Sequence, residues 1–136
     1  MKTFPKTTHQ MADLLLDKLD FCKGWKNGRL LEWVQWFANN GRCYAVTSGG
    51  SLVGVTLVRL VDCEADCEEQ YRDTNGPVCY VEAAVSRHPK ALKSLFTMML
   101  TNVGKNVKKM AWVRHKYDGR VTVVDIDRAK RRLMRN

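Results

Sequence analysis

Val78-Cys79-Tyr80-Val81-Glu82-Ala83-Ala84-Val85 runs directly into Ser86-Arg87-His88-Pro89-Lys90-Ala91, and the reading of this stretch decides the fold. Apart from Glu82 its first part is apolar, the pattern of a strand covered on both faces and therefore central in its sheet. Pro89 suits the first turn of a helix, where a missing N–H has no partner to lose. Ala91, Leu92, Leu95, Phe96, Met98, Met99 and Val103 then make a broad apolar helix face that stops near Gly104. Val107 to Val113 follows as another strand. A strand, a crossover helix and a strand make parallel neighbours, so the Val78 and Val107 segments are expected side by side.

Toward the N-terminus, Cys43-Tyr44-Ala45-Val46 and Leu52-Val53-Gly54-Val55-Thr56-Leu57-Val58, joined through Ser48-Gly49-Gly50, read as a β-hairpin rich in β-branched residues. Two amphipathic helices precede it. The first runs from Thr8 to about Cys22 on Met11, Leu14, Leu15, Leu19 and Cys22, with Thr7 or Thr8 as N-cap; the second runs from about Arg29 to Phe37. Residues 62–77 are polar and acidic, a loop with room for one helical turn. Toward the C-terminus, Asp118-Gly119 marks a turn, Val121 to Val124 the returning strand, and Asp125 or Asp127 the cap of a short helix, Arg128 to Met134. The expected class is α+β: a mixed, mostly antiparallel central sheet with helices on both faces, in one domain spanning 1–136.

The chain has 136 residues, 45% of them hydrophobic and 27% charged, which suits a globular protein with one core. No apolar run approaches the roughly 18 residues of a membrane span and no signal-peptide stretch opens the sequence, so a cytoplasmic protein is expected. Five cysteines, an odd number, fit free thiols in a reducing compartment. Cys63 and Cys67 have the spacing of half a zinc site, but no second pair completes it, and no metal is expected. Charge is polarised. Residues 87–136 hold 14 of the 23 Lys and Arg but three of the 14 acids, a local charge of +11 that leaves −2 on residues 1–86. An anionic partner is expected to meet the C-terminal part.

This order of elements resembles the GNAT superfamily of N-acyltransferases: two N-terminal helices, a hairpin like that of Tyr44-Ala45-Val46 and Leu52-Val53-Gly54-Val55, a central strand, a main helix and further strands. The likeness covers most of residues 8–124. It implies an acyltransferase-like protein, or a descendant without activity, moving an acyl group from a thioester, acyl-coenzyme A or acyl carrier protein, to an amine. In that superfamily a glycine-bearing loop after the central strand holds the pyrophosphate of coenzyme A on backbone N–H groups. The same place here is Ser86 to Ala91, so the resemblance implies Val85, Arg87, Lys90 and Ala91 as cofactor-binding. Here both glycines are absent and Pro89 has no N–H to give. The stretches 78–96 and 108–133 are also similar in order to the bacterial toxin-activating lysine acyltransferases, in which an acidic residue stands where Glu82 does.

Glu82 is the single charge in its strand, and burial of an unpaired carboxylate raises its pKa toward that of a useful general base. It also has candidate ion-pair partners in Arg59, Arg114 and Lys116. His88 and His115 follow strands, at the end where ligands bind in sheets with crossover helices, and His88 is the second candidate acid or base. Cys79 reads as core. Trp33 and Trp36, three apart on one helix, read as core or groove wall. The competing reading is a non-enzymatic basic module for nucleic acid or an acidic protein, with Lys108, Lys109, Arg114, Lys116, Arg128, Arg131 and Arg132 as its binding face.

Overall fold

The computed structural model describes residues 3–26, 28–114 and 120–133, with the backbone alone for Arg114, Arg120 and Leu133. The chain runs α1 (Lys6–Lys18), α2 (Arg29–Asn39), β1 (Cys43–Ser48), β2 (Ser51–Val61), β3 (Val78–Ser86), α3 (Pro89–Asn102), β4 (Lys109–Arg114), β5 (Arg120–Asp125) and α4 (Ile126–Leu133), with short 3-10 turns at Asp20–Cys22 and Glu64–Glu68. The strands lie in chain order, β1-β2-β3-β4-β5, so the apolar Val78 stretch is central. β3 and β4, joined through α3, are parallel; the other neighbours are antiparallel.

Local chemistry accounts for the joints. The hairpin pairs Ser48 with Ser51, leaving Gly49 and Gly50 at φ 57° and 81°, the left-handed pair that a two-residue turn needs. Helices cover both faces. On one, Leu14 and Leu15 of α1 and Trp33, Val34 and Phe37 of α2 pack on Val55, Leu57, Ala83 and Val85. On the other, Leu95 and Met99 of α3 and Ala129 of α4 pack on Val58, Cys79, Val81, Met110 and Val124. Side chains as fully buried as Leu15 and Leu95 each contribute roughly 1.5–3 kcal/mol. A Cβ on Gly54 would stand 2.8 Å from Leu95 Cδ1, so this glycine lets α3 lie close to β2.

Several boundaries differ from expectation. Neither Thr7 nor Thr8 caps α1: the Pro5 carbonyl accepts from Thr8 N–H at 3.0 Å, so the helix closes earlier, and the buried Thr8 hydroxyl bonds Gln35 at 2.6 Å. α1 ends at Lys18, and Cys22 falls in the following turn. β2 continues to Val61, beyond the expected Val58. β4 begins at Lys109 rather than Val107, because the N–H groups of Lys108 and Lys109 both reach the Pro77 carbonyl. α4 follows β5 with no residue between them, which puts Asp127 inside its first turn instead of at a cap. The Asp118-Gly119 turn lies outside the described residues, as do His115, Lys116 and Met134.

Candidate functional site

Two irregularities in β3 build the site. Leu57 pairs with Ala83 while Val58 pairs with Val81, so Glu82 is the extra residue of a β-bulge. Bulges re-aim side chains, and here Glu82 shares its side of the sheet with Ala83. On the other edge, β3 pairs with β4 only from Val78↔Lys109 to Val81↔Trp112, while β4 stays paired with β5 through Arg114. Beyond Val81 the two parallel strands therefore separate. The gap is a cleft of about 390 Å3 between Val81, Glu82 and Ala84 on β3 and Met110, Trp112 and Val113 on β4. Phe21 and Leu19 close it from the α1 side, and Phe96 of α3 with Ala129 and Arg132 of α4 from the other. It is mostly apolar, with Glu82 and Arg132 as its charged lining residues.

The Glu82 side chain is 17% exposed and pairs with Arg59: Nε and Nη2 donate to Oε2 at 3.1 and 3.0 Å. Burial is the larger influence on its carboxyl and pushes its pKa up; the Arg59 charge and hydrogen bonds pull it back without cancelling the rise. Both bonds land on Oε2, so among the described residues Oε1 has no hydrogen-bond partner.

The other predicted site residues stand apart from this carboxylate. His88 is exposed and caps α3, its Nδ1 accepting from Ala91 N–H at 3.3 Å, and it does not line the cleft. Arg87 is half-exposed and bonds Asp17 of α1 at 3.2 Å. Lys90 is exposed; Val85 and Ala91 are buried. The backbone of the Ser86–Ala91 segment has few free donors. Arg87 N–H bonds the Val53 carbonyl at 2.8 Å, Pro89 has none, and Ala91 N–H is shared between the carbonyl and Nδ1 of His88. Three of the six positions thus have no unshared N–H to offer the diphosphate of coenzyme A.

Of the proposed basic face, Lys108 and Lys109 are exposed beside the start of β4, and Arg128, Arg131 and Arg132 are exposed on α4. Arg114 is described by its backbone alone, and Lys116 lies outside the described residues. Burial pushes the thiols of Cys43 and Cys79 up to about 12 and those of Cys22 and Cys67 up to about 11, which suits inert core positions. Among the described residues no cluster of three or more metal-ligating side chains occurs, and no helix is long and apolar enough to cross a membrane. Trp33 is core, whereas Trp112 is a wall of the cleft. The sequence reading missed Phe21, Phe96 and Arg132 as lining residues. Only the aromatic character of the first two signalled them.

The architecture is that of the GNAT-like proteins. No family model and no curated protein matches the sequence, but solved structures do. The chain is similar to the GphF GNAT-like decarboxylase in complex with isobutyryl-CoA, with a TM-score of 0.60 and 13% identity over 82% of this chain. It is likewise similar to diaminobutyrate acetyltransferase EctA of Paenibacillus lautus, in complex with L-2,4-diaminobutyric acid and coenzyme A (TM-score 0.58, 12% identity, 95% of this chain). A third is the loading GNATL domain of CurA from Lyngbya majuscula (TM-score 0.56, 15% identity, 85% of this chain). The chain spans 63%, 67% and 66% of the length of these three. At such identities the likeness is one of fold.

Proposed function

We propose that this protein binds an acyl thioester in the cleft between β3 and β4 and transfers the acyl group to an amine, with Glu82 as general base. The observation that carries this reading is an apolar opening in the sheet lined by Glu82, whose two hydrogen bonds both fall on Oε2. In the step, the amine nitrogen attacks the thioester carbonyl; the C–N bond forms, Glu82 takes the amine proton, the C–S bond breaks and the leaving thiolate collects a proton. The raised carboxyl pKa favours that transfer. The structural neighbours that hold acyl-CoA, or coenzyme A with an amine substrate, support the same class of chemistry.

Because Arg87, Pro89 and Ala91 have no unshared N–H to give a diphosphate, free coenzyme A is not the donor we favour. The donor we propose is a thioester held through its pantetheine arm, as an acidic carrier protein presents it. Arg132 at the cleft, with Arg128 and Arg131 on the same helix, supports an acidic carrier.

The test is amide formation, read by mass spectrometry, from S-acetyl- and S-octanoyl-pantetheine with a panel of primary amines that includes a lysine peptide. Glu82→Gln is expected to lower the rate about 100-fold or more. Equal rates for the two proteins would remove Glu82 from the chemistry. DNA or RNA binding with a steep salt slope, and no thermal shift with any thioester, would favour the basic binding module instead.

A further inference from the structure

Arg59 interrupts the apolar run Leu57-Val58-Arg59-Leu60-Val61 and is 1% exposed. A guanidinium keeps its charge wherever it lies, so its burial needs partners for its N–H groups. It has them in two directions. Nε and Nη2 hold Glu82 Oε2 at 3.1 and 3.0 Å. Nη2 also donates to the Cys67 carbonyl at 2.6 Å, and Nη1 lies 2.6, 3.2 and 3.3 Å from the carbonyls of Glu69, Arg72 and Asp66. The charged carbon stands 5.0 Å over the Tyr80 ring. One side chain thus fixes the carboxylate of the cleft and four carbonyls of the loop between β2 and β3. A lysine, with a point charge and three donors, has no such fork.

We infer that Arg59 is the positioning residue of this site: its fork clamps Glu82 through Oε2, leaving Oε1 to the cleft, and ties that orientation to the 66–72 loop segment. The inference rests on the proposed role of Glu82, but its geometry holds whatever the reaction. The titratable and charged groups about Glu82 are Arg59 on β2, Tyr80 on its own strand, Cys67 in the loop and Arg132 across the cleft. Burial, and after it the Glu82 charge, push Tyr80 up to about 12, a further sign of the contact.

The carboxyl carbons of glutamate, labelled with 13C, are titrated by NMR in the wild type, Arg59→Lys and Arg59→Gln, and amide hydrogen exchange is followed over residues 66–72. With Arg59→Gln the Glu82 midpoint is expected to move to higher pH, because the charge that pulls it down is gone. Arg59→Lys reverses part of that shift but restores none of the loop's protection, so exchange at 66–72 speeds by about tenfold or more in both variants. An unmoved Glu82 midpoint, or unchanged exchange, overturns the assignment. If neither variant folds, Glu82→Leu carries the test: exchange at 66–72 is expected to rise severalfold as the fork loses its carboxylate acceptor, and no rise overturns the coupling. None of these readings needs turnover, so a failure of amide formation sinks the proposed function without touching them.

Discussion

Nη1 of Arg87 stands 3.2 Å from Oδ2 of Asp17, joining the end of β3 to α1 across 70 residues of sequence. The two side chains are 48% and 56% exposed, and pairs so open to water stabilise little. Asp17→Asn is therefore expected to change the unfolding free energy in urea by under about 1 kcal/mol. A larger loss would give this contact a structural weight that its exposure denies.

His88 is expected to matter as a cap. Its Nδ1 accepts the Ala91 N–H, one of the donors that a helix start leaves orphaned. His88→Ala should lose about 1 kcal/mol in urea unfolding, and His88→Asn should keep most of it. Amide formation is expected to survive in both; its loss in His88→Asn at unchanged stability would return His88 to the chemistry.

Thr56 has a buried hydroxyl with no hydrogen-bond partner among the described residues. Valine has the same shape without the polar atom. Thr56→Val is expected to stabilise the protein by about 1 kcal/mol, read as a higher urea midpoint at unchanged slope. A lower midpoint would mean that the hydroxyl is satisfied in solution.

Asp73 sets a pH dependence. Burial pushes its carboxyl up, but hydrogen bonds from Arg42 and from the N–H groups of Asn75 and Leu60, with the Arg42 charge, outweigh that and hold it below the usual value. A carboxyl depressed in the folded state adds stability above its unfolded pKa, about 3.9, and loses it as pH falls through the lower folded value. The advantage of wild type over Asp73→Asn should therefore be full at pH 6 and shrink below about pH 4. Urea midpoints at several pH values check this; a constant difference would refute it.

The fold was legible where side-chain pattern decides it. The apolar Val78 stretch, the Pro89 start and the Gly49-Gly50 turn each carry their reason in the residue itself. The site was legible in part. Glu82 stood out as a lone charge in a strand, and Arg59 was among its foreseen partners. Arg59 carried the same signal among Leu57, Val58, Leu60 and Val61, but the expected strand stopped at Val58. The bulge was hidden, because a mismatch of register belongs to the pairing of β2 with β3 and to neither segment alone. The carbonyl cage was hidden too: backbone acceptors are the same at every position and leave no mark in a sequence.

Side chains on a strand alternate in parity, and Glu82 is where β3 changes it. Cys79 and Val81 face α3, whereas Ala83 and Val85, which unbroken alternation would send the same way, face α1 and α2. Taking out the one extra residue would heal the bulge, keep Ala83↔Leu57 and every later pair, and lose the carboxylate alone, whereas one residue added after Ala83 would exchange the inner and outer partners of everything up to α3. Insertion scanning of β3 should thus meet an abrupt intolerance just past the acid, while removal of the acid itself costs the site and spares the sheet.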